Sequence, residues 1–267
     1  MMKRMWLTLL GMLVGVLPLL AQELYVNTEP ASNMAAKSLG IRLENQGYFS
    51  PDFKNRSTVE LMLGVSRSLM VHGSVYMSDF YQPNQHLEGF SGYAKYRFYS
   101  VDSVQRHFRA AAFIKAATIN NPTPNQEISL EGDNSGVQGG VVATQLLHKL
   151  ALSGSVSYLR AFDNRGGYEP VTRNAVGWTL SSGYLLFPVK YQNYNQTNVN
   201  LYLELLGKAN PGRGQSYMDA APAVQFIFNS VLRLDLSYRT PLWNSMERNT
   251  KNMYLVRLEY NLFNLFN

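Results

Sequence analysis

Few side chains in this sequence have the types and spacing for chemistry. The stretch VHGSV sets His72 two residues before Ser74, a base and a hydroxyl that one face of a β-strand brings to the same side. Val71, Gly73 and Val75 take the other face, so the pair points away from the apolar side. The other histidines, His86, His107 and His148, are scattered, with no paired spacing that would build a zinc site. There is no GxSxG, HExxH, Walker-type or dinucleotide-binding fingerprint. Glu131 and Asp133 in LEGDNSGVQGG offer carboxylates, but their spacing matches no calcium-binding loop, and the stretch reads as a solvated loop. No catalytic residue, metal or cofactor is expected.

The charged residues form a clearer pattern. Arg42, Glu44, Glu60, Lys95, Arg97, Arg109, Lys115, Glu204, Arg233, Asp235, Arg239, Arg257 and Glu259 each alternate with apolar neighbours and so share the non-apolar face of their segments. Two groups stand out. Lys95, Arg97, Arg109 and Lys115 lie on consecutive segments with no acid between them, and unpaired like charges need water or a ligand. Arg42, Glu44, Arg233, Asp235, Arg257 and Glu259 form a mixed ladder able to pair within itself. The first group would attract anions, whereas the second would fill space with ion pairs. YAKYRFYS mixes basic and aromatic residues as single-strand nucleic-acid binders do. Alternation of Lys95 and Arg97 against Tyr96 and Phe98 explains it better, and no nucleic-acid partner is expected.

These residues need strands to position them. Period-two segments run at about 38–46, 58–66, 69–79, 90–99, 108–118, 136–146, 149–160, 174–186, 199–207, 222–229, 231–239 and 253–263. The alternation is sharp in VELMLGV, in VNLYLELLG and in the closing LVRLEYNLF. Links of about two residues (SRS, LHK, FNS) separate segments 2 and 3, 6 and 7, and 10 and 11. Links of roughly ten to seventeen residues follow segments 1, 3, 5, 7, 9 and 11, and 187–198 is irregular. Short turns on one rim and long loops on the other are the pattern of a transmembrane β-barrel. A β-sandwich has no reason to sort its loops in this way. Apolar side chains then face lipid and polar ones a lumen. The fold class is all-β, a transmembrane antiparallel β-barrel of about 12 strands with short periplasmic turns and long external loops. Tyr76, Phe90, Tyr99, Phe108, Tyr158, Trp178, Tyr184, Phe187, Tyr191, Tyr194 and Tyr238 fall mostly near segment ends, where aromatic girdles sit.

Lys3 and Arg4, the apolar run Trp6 to Leu20 and small Ala21 have the layout of a secretory signal peptide over 1–21. Residues 22–37 would be a periplasmic N-terminal segment or a small plug, and 38–267 the barrel. The absence of cysteine means that an exported chain has no disulfide framework. The formal charge of +6 loses two with Lys3 and Arg4, and the remaining +4 is no nucleic-acid footprint.

Two resemblances follow. The His72–Ser74 pair resembles the His-x-Ser of outer-membrane lipid hydrolases, but Val75 replaces their asparagine and the pair faces inward beside a tight turn. The signal, the strand count and the closing strand LVRLEYNLF resemble small Gram-negative outer-membrane channels. The broad transporter family named after the meta-pathway of phenol degradation is the nearest named group. That likeness implies an outer-membrane location, lipids and the barrel-assembly machinery as partners, and a small solute as cargo; anion preference is expected from the basic group Lys95, Arg97, Arg109 and Lys115. The alternative is a plugged structural or surface-binding barrel.

Overall fold

Along each segment the alternation becomes a sheet with two unlike faces. Val59 and Leu61 are about half exposed on one side of their strand, while Met62 between Leu61 and Leu63 is buried on the other. The computed structural model describes residues 25–104, 106–189, 196–249 and 252–263. Its strands are β1 (Leu39–Tyr48), β2 (Lys54–Gly64), β3 (Leu69–Ser78), β4 (His86–Ser103), β5 (Arg106–Ile119), β6 (Gly136–Leu147), β7 (Leu150–Ala161), β8 (Asn174–Phe187), β9 (Asn198–Asn210), β10 (Gln215–Phe228), β11 (Leu232–Asn244) and β12 (Met253–Leu262). Each pairs antiparallel with its sequence neighbours, and β1 pairs with β12 to close the ring. Closure leaves no unpaired sheet edge, so the backbone polar groups are satisfied within the sheet.

The faces are the inverse of those in a water-soluble domain. Exposed aliphatics such as Val141, Val156, Leu180, Leu201, Leu203, Val256 and Leu258 cover the outside. The buried set inside is rich in polar groups, among them Ser74, Lys95, Thr144, Ser153, Glu204, Asp219, Gln225 and Arg233. This arrangement suits a barrel whose outside meets hydrocarbon and whose inside does not.

Turn chemistry explains the tight rim. Asn229 and Ser230 both take positive φ (50° and 57°), and the amide of Val231 donates to the carbonyl of Phe228 at 3.0 Å. That is the primed geometry whose twist matches antiparallel strands, and asparagine tolerates it better than most residues. Three expectations need correction. The connection after β9 is only residues 211–214, and that after β1 is 49–53, so neither is a long loop. β10 begins at Gln215 rather than near 222, because small and polar residues in SYMDAA hide its alternation. Tyr76 is not part of an external girdle: it is buried inward and its hydroxyl lies 2.7 Å from that of Ser91. Residues 1–21, Tyr191 and Tyr194 lie outside the described residues.

Candidate functional site: the lumen

The lumen is built by three parts of the chain: the inward strand faces, the N-terminal segment and the β5–β6 connection. Residues 25–38 run inside the ring. Glu204 on β9 accepts hydrogen bonds from the amides of Val26 (3.0 Å) and Asn27 (2.8 Å), the Asn27 side chain (3.1 Å) and the Thr28 hydroxyl (2.7 Å). Tyr25 packs edge-on against Tyr202 at 5.5 Å. Glu29 lies 3.1 Å from Arg42 on β1 and 3.6 Å from Lys95 on β4. The Ala31 amide donates to Thr144 on β6 at 2.9 Å. Lys95 also donates to the carbonyls of Pro30 (2.6 Å) and Ser32 (2.9 Å), and Arg109 donates to the Ser32 hydroxyl (3.0 Å). Near Gly64 the segment pairs with β2, the Lys37 amide donating to the Gly64 carbonyl at 2.7 Å. A Cβ on Gly64 would stand 2.0 Å from the Ala35 carbonyl oxygen, so this approach requires glycine.

At the opposite rim the β5–β6 connection, residues 120–135, folds inward. Ile128 and Leu130 bury with Leu159, Ala161 and Ala175. Glu127 meets Lys208 at 2.9 Å and accepts from the Tyr217 hydroxyl at 2.6 Å. Burial works to raise its pKa, but the charges of Lys208 and Arg239 outweigh that and hold it at about 2. Asp133 meets Arg56 at 2.7 Å, and Arg56 meets Glu88 at 2.5 Å. Glu131 meets Lys115 at 2.9 Å, and that positive charge, against some burial, lowers its pKa to about 2. Glu131 and Asp133 therefore face cations; Glu131 stays 58% exposed, and the reading of a solvated loop is corrected for the part of the connection that Ile128 and Leu130 bury. Among the described residues no group of three or more His, Cys, Asp or Glu side chains is placed to hold a metal ion.

Between these two insertions lies a cavity of about 240 Å³. Its lining carries the acids Glu29, Glu44, Glu60 and Glu131 and the bases Arg42, Lys115, Arg239 and Arg257, together with His72, Tyr93 and neutral polar groups. The mixed set meets in one network along the β11–β12–β1 wall. Arg42 lies 2.9 Å from Glu259, Arg233 lies 2.9 Å from Asp235 and 3.1 Å from Glu259, and Arg257 lies 2.5 Å from Glu44 and 3.6 Å from Asp235.

The four basic residues are less concentrated than their spacing suggested. Lys115 lines the cavity, but Lys95 lies buried under the N-terminal segment. Arg97 donates to the Arg67 carbonyl near the β2–β3 turn (2.7 Å), and Arg109 pairs with Asp102 at 2.9 Å. Acids thus reach three of the four: Glu29 from the N-terminal segment, Asp102 from the extended end of β4 and Glu131 from the β5–β6 connection. In the β4–β5 pairing, whose register shifts between Arg97 and Tyr99, Lys115 stands opposite Tyr93 and Arg109 opposite Ser100.

His72 and Ser74 both face inward. Ser74 donates to Glu60 at 2.8 Å, and the His72 Nδ1 lies 3.4 Å from the same carboxylate, so the hydroxyl is turned to an acid rather than to the imidazole. Alternation in the sequence gives no sign of Arg56, Glu88 and Asp219. Asp219 holds Arg239 at 2.5 Å and Arg248 at 2.6 Å. All three sit in strand portions beyond the ends assigned from alternation.

No family model matches the chain, and no curated protein matches its sequence. Among solved structures, the KdgM porin aligns over 84% of this chain and 98% of its own, at 11% identity and a TM-score of 0.53. The fold is porin-like. The KdgM porin in complex with disordered oligogalacturonate covers the same shares at 11% identity and a TM-score of 0.49. Pseudomonas aeruginosa OccK11 (OpdR) aligns over 84% of this chain and 66% of its own, at 10% identity and a TM-score of 0.40. Only the first of these porin-like alignments supports the assignment of fold.

Proposed function

We propose that this protein is an outer-membrane channel for small polar solutes, held closed by its own N-terminal segment in the state described. The observation that carries the reading is the inside-out barrel, apolar outside, with a charged cavity of about 240 Å³ in its lumen. A barrel that served only as a scaffold has no need to keep such space between balanced charges. The inward, acid-bonded setting of Ser74 favours transport over ester hydrolysis. Likeness to the transporters named after the phenol meta-pathway remains part of this proposal, on the signal layout, the strand count and the closing strand LVRLEYNLF. Outer-membrane lipids and the assembly machinery would be its partners in that setting.

Anion preference is the finer part of the proposal and rests on Lys95, Arg97, Arg109 and Lys115. With Glu29 and the Pro30 and Ser32 carbonyls engaging Lys95, it should be weak in the closed state and stronger once the segment has left.

The second reading, a plugged structural or surface-binding barrel, is favoured by the occupation of both mouths. Planar-bilayer conductance of the purified mature protein separates the two, alongside a variant lacking residues 25–36. Current from the variant in a salt gradient, with a reversal potential on the anion side that Arg97→Glu with Arg109→Glu moves towards cations, supports the channel. Silence from both proteins supports the structural barrel.

A further inference from the structure

The cations under the N-terminal segment are arranged as a binding site that the protein fills with its own atoms. Glu29 places a carboxylate between the guanidinium of Arg42 (3.1 Å) and the ammonium of Lys95 (3.6 Å). Lys95 is fully buried, and its remaining contacts are the carbonyl oxygens of Pro30 and Ser32. A buried lysine is costly without such oxygens, so something oxygen-rich has to replace them if the segment moves away. Glu29 and Arg42 also line the cavity of about 240 Å³, so a solute that enters it meets Arg42 directly, and Lys95, buried behind Glu29 and the segment, once they give way.

The hold on the segment itself is polar. Glu204, Thr144, Lys95 and Arg109 grip it through hydrogen bonds, and Tyr25, Val26 and Ala31 add apolar contacts, with Met34 close to Gly40 and Gly64. A polar competitor in the lumen can therefore exchange with it contact for contact.

We infer that Arg42 and Lys95 form a site for a small carboxylate solute, that Glu29 occupies it as an internal substitute, and that solute binding releases the N-terminal segment. The inference rests on the channel reading for its purpose, but its chemistry stands apart from conduction. Arg42 takes one carboxylate oxygen and Lys95 the other, while Glu259 stays on the Arg42 Nε and Glu60 shares Nη1 with the incoming group as it does with Glu29. The carboxylate-bearing solute gains what Glu29 gives up, so the two compete in proportion to their relative affinity for the cations.

The test uses the full mature protein in liposomes with a cysteine at Ala31, a fully buried position in the segment, and two readouts on the same sample. One is the labelling rate of that cysteine by a membrane-impermeant thiol reagent; the other is ionic current. Gluconate should speed labelling about tenfold, whereas glucose, its neutral counterpart, and sodium chloride at equal ionic strength should not. Glu29→Gln should speed labelling without gluconate and lower the gluconate concentration needed. Lys95→Met should abolish the gluconate response whatever its basal rate. If gluconate speeds labelling while no current flows, the site stands and the channel reading fails. If current flows while labelling ignores gluconate, or follows chloride equally, the site is overturned and the channel remains.

Discussion

Glu259 contacts two guanidinium groups at once, Arg42 at 2.9 Å and Arg233 at 3.1 Å, and all three side chains are nearly buried. Removing one partner from such a group leaves uncompensated charge where water cannot reach it. Glu259→Gln should therefore lower stability by about 3 kcal/mol, measured by denaturant unfolding in lipid. A loss within error would mean that water reaches the ladder. Glu127 offers a test by pH. Its pKa falls from 4.5 to about 2 in the folded state, so its stabilisation is complete above 4.5 and disappears as the pH drops through about 2. Hydrogen exchange of the peptide 120–135, corrected for intrinsic rate, should show protection intact at pH 5 and lost near pH 2; protection already missing at pH 5 would refute the pairing with Lys208. Much of the mixed ladder was legible in the sequence because alternation alone assigns faces: Arg257 and Glu259 flank Leu258 as plainly in the text as in space. The engagement of Lys95 by Glu29 was not legible, because period-two spacing contains nothing about a segment that returns through the lumen.

Among the elements, the β5–β6 connection differs most from its expected form. It read as a solvated loop since Pro122, Pro124, Asn125 and Gly132 are turn formers, yet Ile128 and Leu130 give it an apolar side that packs against β7 and β8. Gly132 fixes its inward course: it sits at φ +96°, and a Cβ there would stand 2.4 Å from a Glu88 carboxylate oxygen and 2.5 Å from the Arg56 Nε. Gly132→Ala should lift the loop and cost about 1–3 kcal/mol, and in the channel reading it should raise conductance when residues 25–36 are absent. Unchanged current there would show that the loop does not restrict passage. Sidedness is tested by cysteines at Glu169, strongly exposed in the β7–β8 connection, and at Ser68 in the β2–β3 turn. On whole cells an impermeant reagent should reach the first and not the second. Strand positions were legible wherever aliphatics alternate, and β10 was lost where Ala220, Ala221 and Pro222 offer too little contrast between the faces.

The whole molecule should resist detergent until heated, as a closed hydrogen-bonded ring does, and its gel mobility should shift on boiling. A single unshifted band would argue against closure. The last consequence comes from the two joints that β12 makes. Arg42 stands opposite Glu259 and Glu44 opposite Arg257 on one side, while Arg233 stands opposite Glu259 and Asp235 opposite Arg257 on the other. A slip of two residues at either joint alone keeps every face correct, so hydrophobicity alone does not forbid it. In one direction, however, the slip sets Arg42 (at the β1 joint) or Arg233 (at the β11 joint) against Arg257; in the other it sets Glu44 or Asp235 against Glu259. Either error brings like charges together in a buried wall. The stagger at closure determines a barrel's shear, and with strand number the shear determines its diameter. The ladder thus acts as a proofreader of assembly: by rejecting the neighbouring staggers, six charged side chains select a single bore for the finished barrel.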